Sequence, residues 1–468
     1  MHPENLDANR DMEILVAEYE TMKQRGEVAF LEERSFHRLV SYYERENQLD
    51  QALEVVDYAL VHYGFSADFY TKKAQLLIDL QRDQEALAAL EEAELYAPAE
   101  IEIALLRIEL LAYQGSHGQA LDLIAALKTQ ASSADMVEIL LTESLVYECQ
   151  SEFEAMFHAL SSALSLEPAH AETLDRFWLS VEATRKYEEG LPLLDKVLDE
   201  NAYRHMAWFY TGHAQAYLGN YRKAIEAYEY AFLSAPDFEE GYRECANLCF
   251  ELREYPRALA ICEEMLERFE ADSDLFFQMG QCYQAQDQNQ MARTLFQEAL
   301  RMDPMDDEVL FQLGNSFALE GKWKQATRFY KKAITIENKQ EEYYAALAQA
   351  CRMQEQWDEA ETYIRLAITQ AMSESRYWVA FALILLEQNK GEQALELLEE
   401  AEEYTTGSEL LYCRVACLIG SGRRHEALYW LGEALCEDFE MHPFLFDLAP
   451  GLRSDNGVLS VISYHMDR

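Results

Sequence analysis

Apolar residues recur along this chain in a three-point stripe. In YRKAIEAYEYAFLSAP (221–236), Ala224, Tyr228 and Ala231 fall at i, i+4 and i+7, one face of a helix. The alanine at 224 has counterparts at Ala258, Ala292, Ala326, Ala360 and Ala394, each 34 residues on, and at Ala427 after 33. Upstream, the same register gives Ala52, Ala86 and Ala120, then Met156 and Gly190, with a two-residue insertion between Ala120 and Met156. The fourth residue after each is bulky or apolar, and the seventh is usually small. Twelve units result.

A second stripe precedes each of these. Leu310-x-x-Leu313-Gly314-x-x-Phe317 and Phe276-x-x-Met279-Gly280-x-x-Tyr283 place bulky residues around a small one, as two touching helices require. Each unit is therefore predicted to be a helix pair. Pro98, Pro168, Pro236 and Pro304 close several units, because proline cannot continue a helix. One pair cannot bury its own apolar face, whereas stacked pairs share a continuous core. The expected fold class is all-α, an α-solenoid of antiparallel helix pairs.

The pattern W-x2-L-G-x2-Y, A-x3-F, then A and P on this period resembles the tetratricopeptide repeat over residues 33–440. Repeats six and eight to ten match best. Repeats three, four, five and twelve depart from it, with Arg107, Glu143 and Arg414 at the usual leucine in three of them. The resemblance implies a right-handed superhelix whose first helices line a concave groove. Terminal repeats need covers, so a capping helix is expected within 1–32, carried by Ile14, Leu15, Glu18, Tyr19 and Met22. Another is expected within 441–468, carried by Phe444, Leu448, Leu452, Val458, Val461 and Ile462. No Gly/Ser-rich or Pro-rich linker interrupts the chain, so one continuous unit is expected.

Composition narrows the function. With 85 acidic against 39 basic residues the net charge is -46, which opposes direct nucleic-acid binding and permits a basic protein partner. The longest apolar run, YWVAFALILL (377–386), is short of the roughly 20 residues that span a bilayer, so no membrane insertion is expected. The polar, acidic start lacks the features of a secretory signal. Nine cysteines, without a C-x-x-C pair, suit a reduced, cytoplasmic setting. Cys245/Cys249 and Cys413/Cys417, four apart, read as buried apolar groups.

No phosphate-binding, dinucleotide, zinc-protease or nucleophile-elbow motif is present. The one E-x-x-H, Glu167 to His170, contains Pro168 and falls in an inter-repeat turn. We therefore expect a non-enzymatic scaffold or adaptor with no catalytic residues, cofactor or metal.

The resemblance assigns groove positions 2, 5, 9 and 12 of each first helix, counting the recurring alanine as position 20. Position 9 reads Asn247, Gln281, Asn315 and Gln349 in repeats seven to ten. Amides donate and accept, which suits the backbone of an extended peptide. Position 5 reads Phe209, Arg243, Phe277 and Phe311, with His213, Phe250 and Arg352 at positions 9, 12 and 12 of repeats six, seven and ten. The alternative is that these aromatics pack between repeats and the amides only face water. A carboxylate clamp is incomplete: Arg243-x3-Asn247 fits its first element, but Glu308 and Gln312 replace its last basic pair.

Position 2 is acidic in nine repeats: Asp68, Glu102, Glu138, Glu172, Glu240, Asp274, Glu308, Glu342 and Glu409. These acids complement the helix dipole and would also favour an extended, basic segment of a partner. Against this background Lys324, Arg328 and Lys331 form a basic face on a second helix, open to an acidic surface or to self-association. The competing expectation is a structural assembly component that docks a folded partner through its convex face or its caps.

Overall fold

The computed structural model describes residues 12, 14–21, 23, 31–132 and 135–466. Its contacts divide the chain into two compact units, Met1–Gly241 and Tyr242–Arg468. Among the described residues the regular elements are all helical, and no helix is long and apolar enough to cross a membrane.

The first unit holds pairs α1 (Glu33–Arg45) and α2 (Leu49–His62), α3 (Ala67–Asp79) and α4 (Asp83–Tyr96), and α5 (Ile101–Tyr113) and α6 (His117–Lys128). It continues with α7 (Asp135–Cys149) and α8 (Phe153–Leu166), α9 (Ala171–Thr184) and α10 (Tyr187–Glu200), and α11 (His205–Tyr217) and α12 (Tyr221–Ser234). Next comes α13 (Glu239–Glu251), in which the division falls, paired in sequence with α14 (Tyr255–Arg268). The second unit goes on with α15 (Ser273–Ala285) and α16 (Asn289–Met302), α17 (Asp307–Leu319) and α18 (Trp323–Ile336), and α19 (Glu341–Arg352) and α20 (Trp357–Gln370). Its last pairs are α21 (Ser375–Glu387) and α22 (Gly391–Ala401), and α23 (Ser408–Gly420) and α24 (Arg424–Glu437).

A backbone device enforces the period. Each first helix ends on a left-handed residue: Asn47, Gln81, Gly115, Ser151, Arg185, Gly219, Arg253, Asp287, Gly321, Glu355, Asn389 or Gly422. In each turn the next N–H bonds to the carbonyl five residues back, as in Arg82 N to Leu77 O at 2.8 Å. This double reversal satisfies the helix-end carbonyls and sends the second helix back along the first. The two inserted residues are absorbed before repeat four, where α7 is 15 residues long.

Side-chain size sets how closely the helices approach. At the recurring position the alanines are fully buried, among them Ala52, Ala224, Ala326 and Ala427. Across from them, ring size and glycine go together. A Cβ on Gly212, Gly280 or Gly314 would lie 2.5 Å from Tyr228, Phe296 or Tyr330 respectively. At the equivalent positions of the second and eleventh repeats, Leu90 and Leu398 stand in place of the ring and Ala74 and Ala382 in place of the glycine, and all four are buried.

The charged residues at the usual leucine are matched by neighbours on the preceding second helix or its end. Arg107 pairs with Glu94 at 2.6 Å, Glu143 with Lys128 at 2.5 Å and Arg414 with Glu402 at 2.7 Å. Cys245, Cys249, Cys413 and Cys417 are fully buried, as expected of small apolar groups.

At the N-terminal end residues 14–21 are helical, and Tyr19 is buried edge-on against Tyr58 at 6.0 Å. Met22, with residues 1–11, 13 and 24–30, lies outside the described residues. At the other end the single helix expected over 441–468 is two, α25 (His442–Leu448) and α26 (Asn456–Met466), joined by a 3-10 turn at Pro450–Ser454. Pro450 has no N–H to continue the first of them. Leu445, Leu452, Val458 and Ile462 are buried in the core of this end, and Asp455 pairs with Arg424 at 2.6 Å.

Candidate protein-binding surface

In the first unit, Phe209 and His213 occupy adjacent turns of α11. Phe209 is half-buried, edge-on to Phe238 at 5.0 Å and to His213 at 4.4 Å. His213 Nδ1 and the Tyr228 hydroxyl are hydrogen-bonded at 3.1 Å, and burial pushes the imidazole pKa below 6.5. His213 also stacks on Trp178 of the preceding repeat at 5.9 Å, so both residues are engaged in packing.

In the second unit the position 9 amides stand on four successive first helices, α13, α15, α17 and α19. Their commitments differ. Asn247 is exposed, and its Oδ1 accepts from Gln278 Nε2 at 2.6 Å. Asn315 is tied on both sides, accepting from the Tyr330 hydroxyl at 2.7 Å and donating to Gln312 Oε1 at 3.1 Å. Gln349 Oε1 accepts from Arg352 Nε at 2.9 Å. Gln281 makes no side-chain hydrogen bond among the described residues, and neither do the N–H groups of Asn247 and Gln349.

The position 5 and 12 side chains divide similarly. Phe277 and Phe311 are half-buried and lean on Phe296 at 5.8 Å and Tyr330 at 5.6 Å; Phe311 also meets Tyr343 at 4.5 Å. Phe250 packs on Tyr255 at 5.6 Å. Arg243 is ion-paired with Asp272, which also caps α15 by accepting from Leu275 N at 2.9 Å. Arg352 pairs with Glu387 at 2.8 Å. The aromatic members thus contribute to packing as well as to a face, and the arginines bridge neighbouring repeats.

The acidic positions are unevenly compensated. Glu342 meets Arg376 at 3.2 Å, Glu138 meets His170 at 3.6 Å, and Glu409 accepts from Ser375 Oγ at 2.7 Å. At the start of α17, burial and the neighbouring Asp306 and Asp307 push the Glu308 carboxyl pKa up. A positive group arriving there would relieve that repulsion.

On α18, Lys331 is bound to Glu359 at 3.0 Å, whereas Lys324 and Arg328 are exposed with no ion pair among the described residues. Motif reasoning overlooked Leu319 and Met353, 63% and 47% exposed at position 13 beside the amides. Their signal was available: a large apolar residue at the end of a first helix, outside both stripes. Glu167 to His170 form the expected turn between α8 and α9, and His170 caps the start of α9, where its Nδ1 accepts from Thr173 N at 3.3 Å.

Sequence models of the tetratricopeptide repeat match residues 67–100, 211–273 and 277–342. This is a tetratricopeptide repeat protein. Repeats of this kind make the chain a protein-interaction scaffold. No curated protein matches it. Among solved structures, the tetratricopeptide repeat protein is similar to the C-terminal part of a repeat-containing protein from Cytophaga hutchinsonii. That match has 18% identity and a TM-score of 0.42, covering 52% of this chain and 99% of that one. A chain of the APC/C Cut9–Hcn1 hetero-tetramer matches at 13% identity and TM-score 0.39, covering 91% and 95%. YrrB, described as having an unusual peptide-binding site, matches at 18% identity and TM-score 0.33, covering 38% and 92%.

Proposed function

We propose that the first-helix face of repeats seven to ten binds an extended, basic segment of another protein. The observation that carries this reading is the set of uncommitted amide groups, Gln281 and the N–H donors of Asn247 and Gln349, on the first helices of repeats seven, eight and ten, with Leu319 and Met353 exposed at the ends of the first helices of repeats nine and ten. Such donors and acceptors match a peptide backbone, while the apolar neighbours accept alternate side chains. The Asp306–Glu308 cluster favours lysine or arginine in the segment, and the large negative charge speeds its approach. Phe209 and His213 belong to the first unit, where they occupy the same helix positions.

The test is selection from a displayed peptide library, followed by titration of the selected peptides against wild type and an Asn247→Ala, Gln281→Ala double variant. Selected peptides should be rich in Lys and Arg, bind more weakly as salt rises, and bind the variant at least tenfold more weakly at an unchanged melting temperature. Equal binding to both proteins defeats the reading.

The second reading, docking of a folded partner on the outer helices, draws on Lys324 and Arg328, exposed cations of α18 that have no ion pair among the described residues. Capture of a folded acidic protein by wild type, abolished in Lys324→Glu, Arg328→Glu, would favour it.

A further inference from the structure

Three side chains at the start of the first two repeats are brought together by helix stacking. Glu33 opens α1, His37 follows one turn later on the same side, and Asp68 stands in the first turn of α3. A carboxylate oxygen from each acid and an imidazole nitrogen all lie within 4.8 Å of one another. The His37 ring lies flat on Phe69, with centroids 4.6 Å apart and planes 12° apart, and Phe69 is fully buried. The core therefore fixes the orientation of the imidazole.

Helix-dipole compensation explains an acid in a first turn. It does not explain the imidazole between two such acids. Nor are the acids compensated in the way seen elsewhere, where Glu342 has Arg376 and Glu138 has His170. Among the described residues neither Glu33 nor Asp68 has a cationic partner, and none of the three side chains makes a hydrogen bond.

We propose that Glu33, His37 and Asp68 bind a zinc ion, with water completing its coordination. One imidazole nitrogen and two carboxylate oxygens are ligands zinc accepts at about 2.0–2.2 Å, so small side-chain rotations close the site. Hard oxygen-seeking ions such as magnesium gain little from the imidazole. The bound ion clamps the first turn of α1 to that of α3, joining the first repeat to the second. Sequence motifs miss this set because its third ligand is on another helix.

The test is calorimetric titration of the chelator-stripped full chain with zinc alone, then with magnesium alone, beside His37→Ala and Asp68→Asn. Wild type should show one zinc site that both variants lose or weaken at least tenfold, and a zinc-dependent rise in melting temperature that both variants lack. Metal-free Asp68→Asn should melt as metal-free wild type does, whereas His37→Ala also loses its stacking on Phe69 and is judged by its zinc dependence alone. Cobalt should give visible bands without thiolate charge transfer, which separates this site from the exposed Cys149 and Cys436. Identical zinc titrations for wild type and variants, a thiolate band that accounts for the site, or magnesium binding equal to zinc overturns the proposal.

Discussion

The Tyr330 hydroxyl reaches past Gly314 and donates to Asn315 Oδ1 at 2.7 Å, so a core residue of α18 sets the state of a face residue on α17. Tyr228 and His213 make the same connection past Gly212 at 3.1 Å. In the eighth repeat the corresponding ring is Phe296, which has no hydroxyl, and Gln281 has no such anchor. Tyr330→Phe should therefore cost about 1 kcal/mol by urea denaturation. It should also free Asn315 Oδ1, changing which peptides the face selects while the core stays packed.

Glycine at these contacts is a packing requirement. A Cβ at Gly314 would lie 2.5 Å from the Tyr330 ring, while one at Gly321 would meet nothing within 4 Å. Gly314→Ala should destabilise by about 1–3 kcal/mol through overpacking. The compensated variant Gly314→Ala, Tyr330→Leu reproduces the Ala and Leu combination that the second and eleventh repeats carry at these positions, Ala74 with Leu90 and Ala382 with Leu398, and should recover part of that loss. Gly321→Ala strains only a left-handed φ of 72°, a position other repeats fill with Gln81 or Arg253, and should cost about 1 kcal/mol. Thermal and urea melts of the four proteins distinguish the two causes.

The charge at Arg414 is retained by a pair that is buried on one side only. Its side chain is 9% exposed and lies over Trp430 at 4.6 Å, whereas Glu402 is 48% exposed. Glu402→Ala leaves the guanidinium without its carboxylate and should destabilise by about 1–3 kcal/mol. Arg414→Leu, Glu402→Ala restores the residue the repeat usually carries and should be near neutral, because a buried pair repays little more than its desolvation. A double-mutant cycle in urea reads the coupling.

Much of the fold was legible because its physics is periodic. The spacing from Ala52 to Ala427 is the spacing of the helix pairs, since each alanine sits where two helices touch. The binding face was less legible. Asn315 and Gln281 look alike in sequence, and only the ring behind each, Tyr330 or Phe296, decides whether the amide is engaged. Arg243 and Arg352 sit at groove positions yet are ion-paired to Asp272 and Glu387, acids at the cap and the end of the next repeat's first helix that the motif does not specify. The joined helices at 442–466 were hidden for a different reason: apolar residues run through both sides of Pro450, which alone marks the break.

The pH response of the first unit tests the burial of His213. Burial lowers its pKa from 6.5, so just below pH 6.5 the unfolded chain takes up a proton that the folded protein refuses. Stability from this group is fully present above pH 6.5, falls as the pH drops through 6.5, and levels off once the folded-state pKa is passed. Protonation also removes the Nδ1 lone pair that can accept from Tyr228. Other groups add their own pH dependence, including the half-buried Glu109 carboxyl, whose pKa is raised by desolvation and which acts in the opposite sense. Comparing wild type with His213→Gln removes their shared contribution. The stability difference between the two proteins should narrow or reverse from pH 7.5 to pH 5 in urea titrations, with wild type losing the more; a difference that does not change with pH would show that His213 is as hydrated in the folded chain as in the unfolded one.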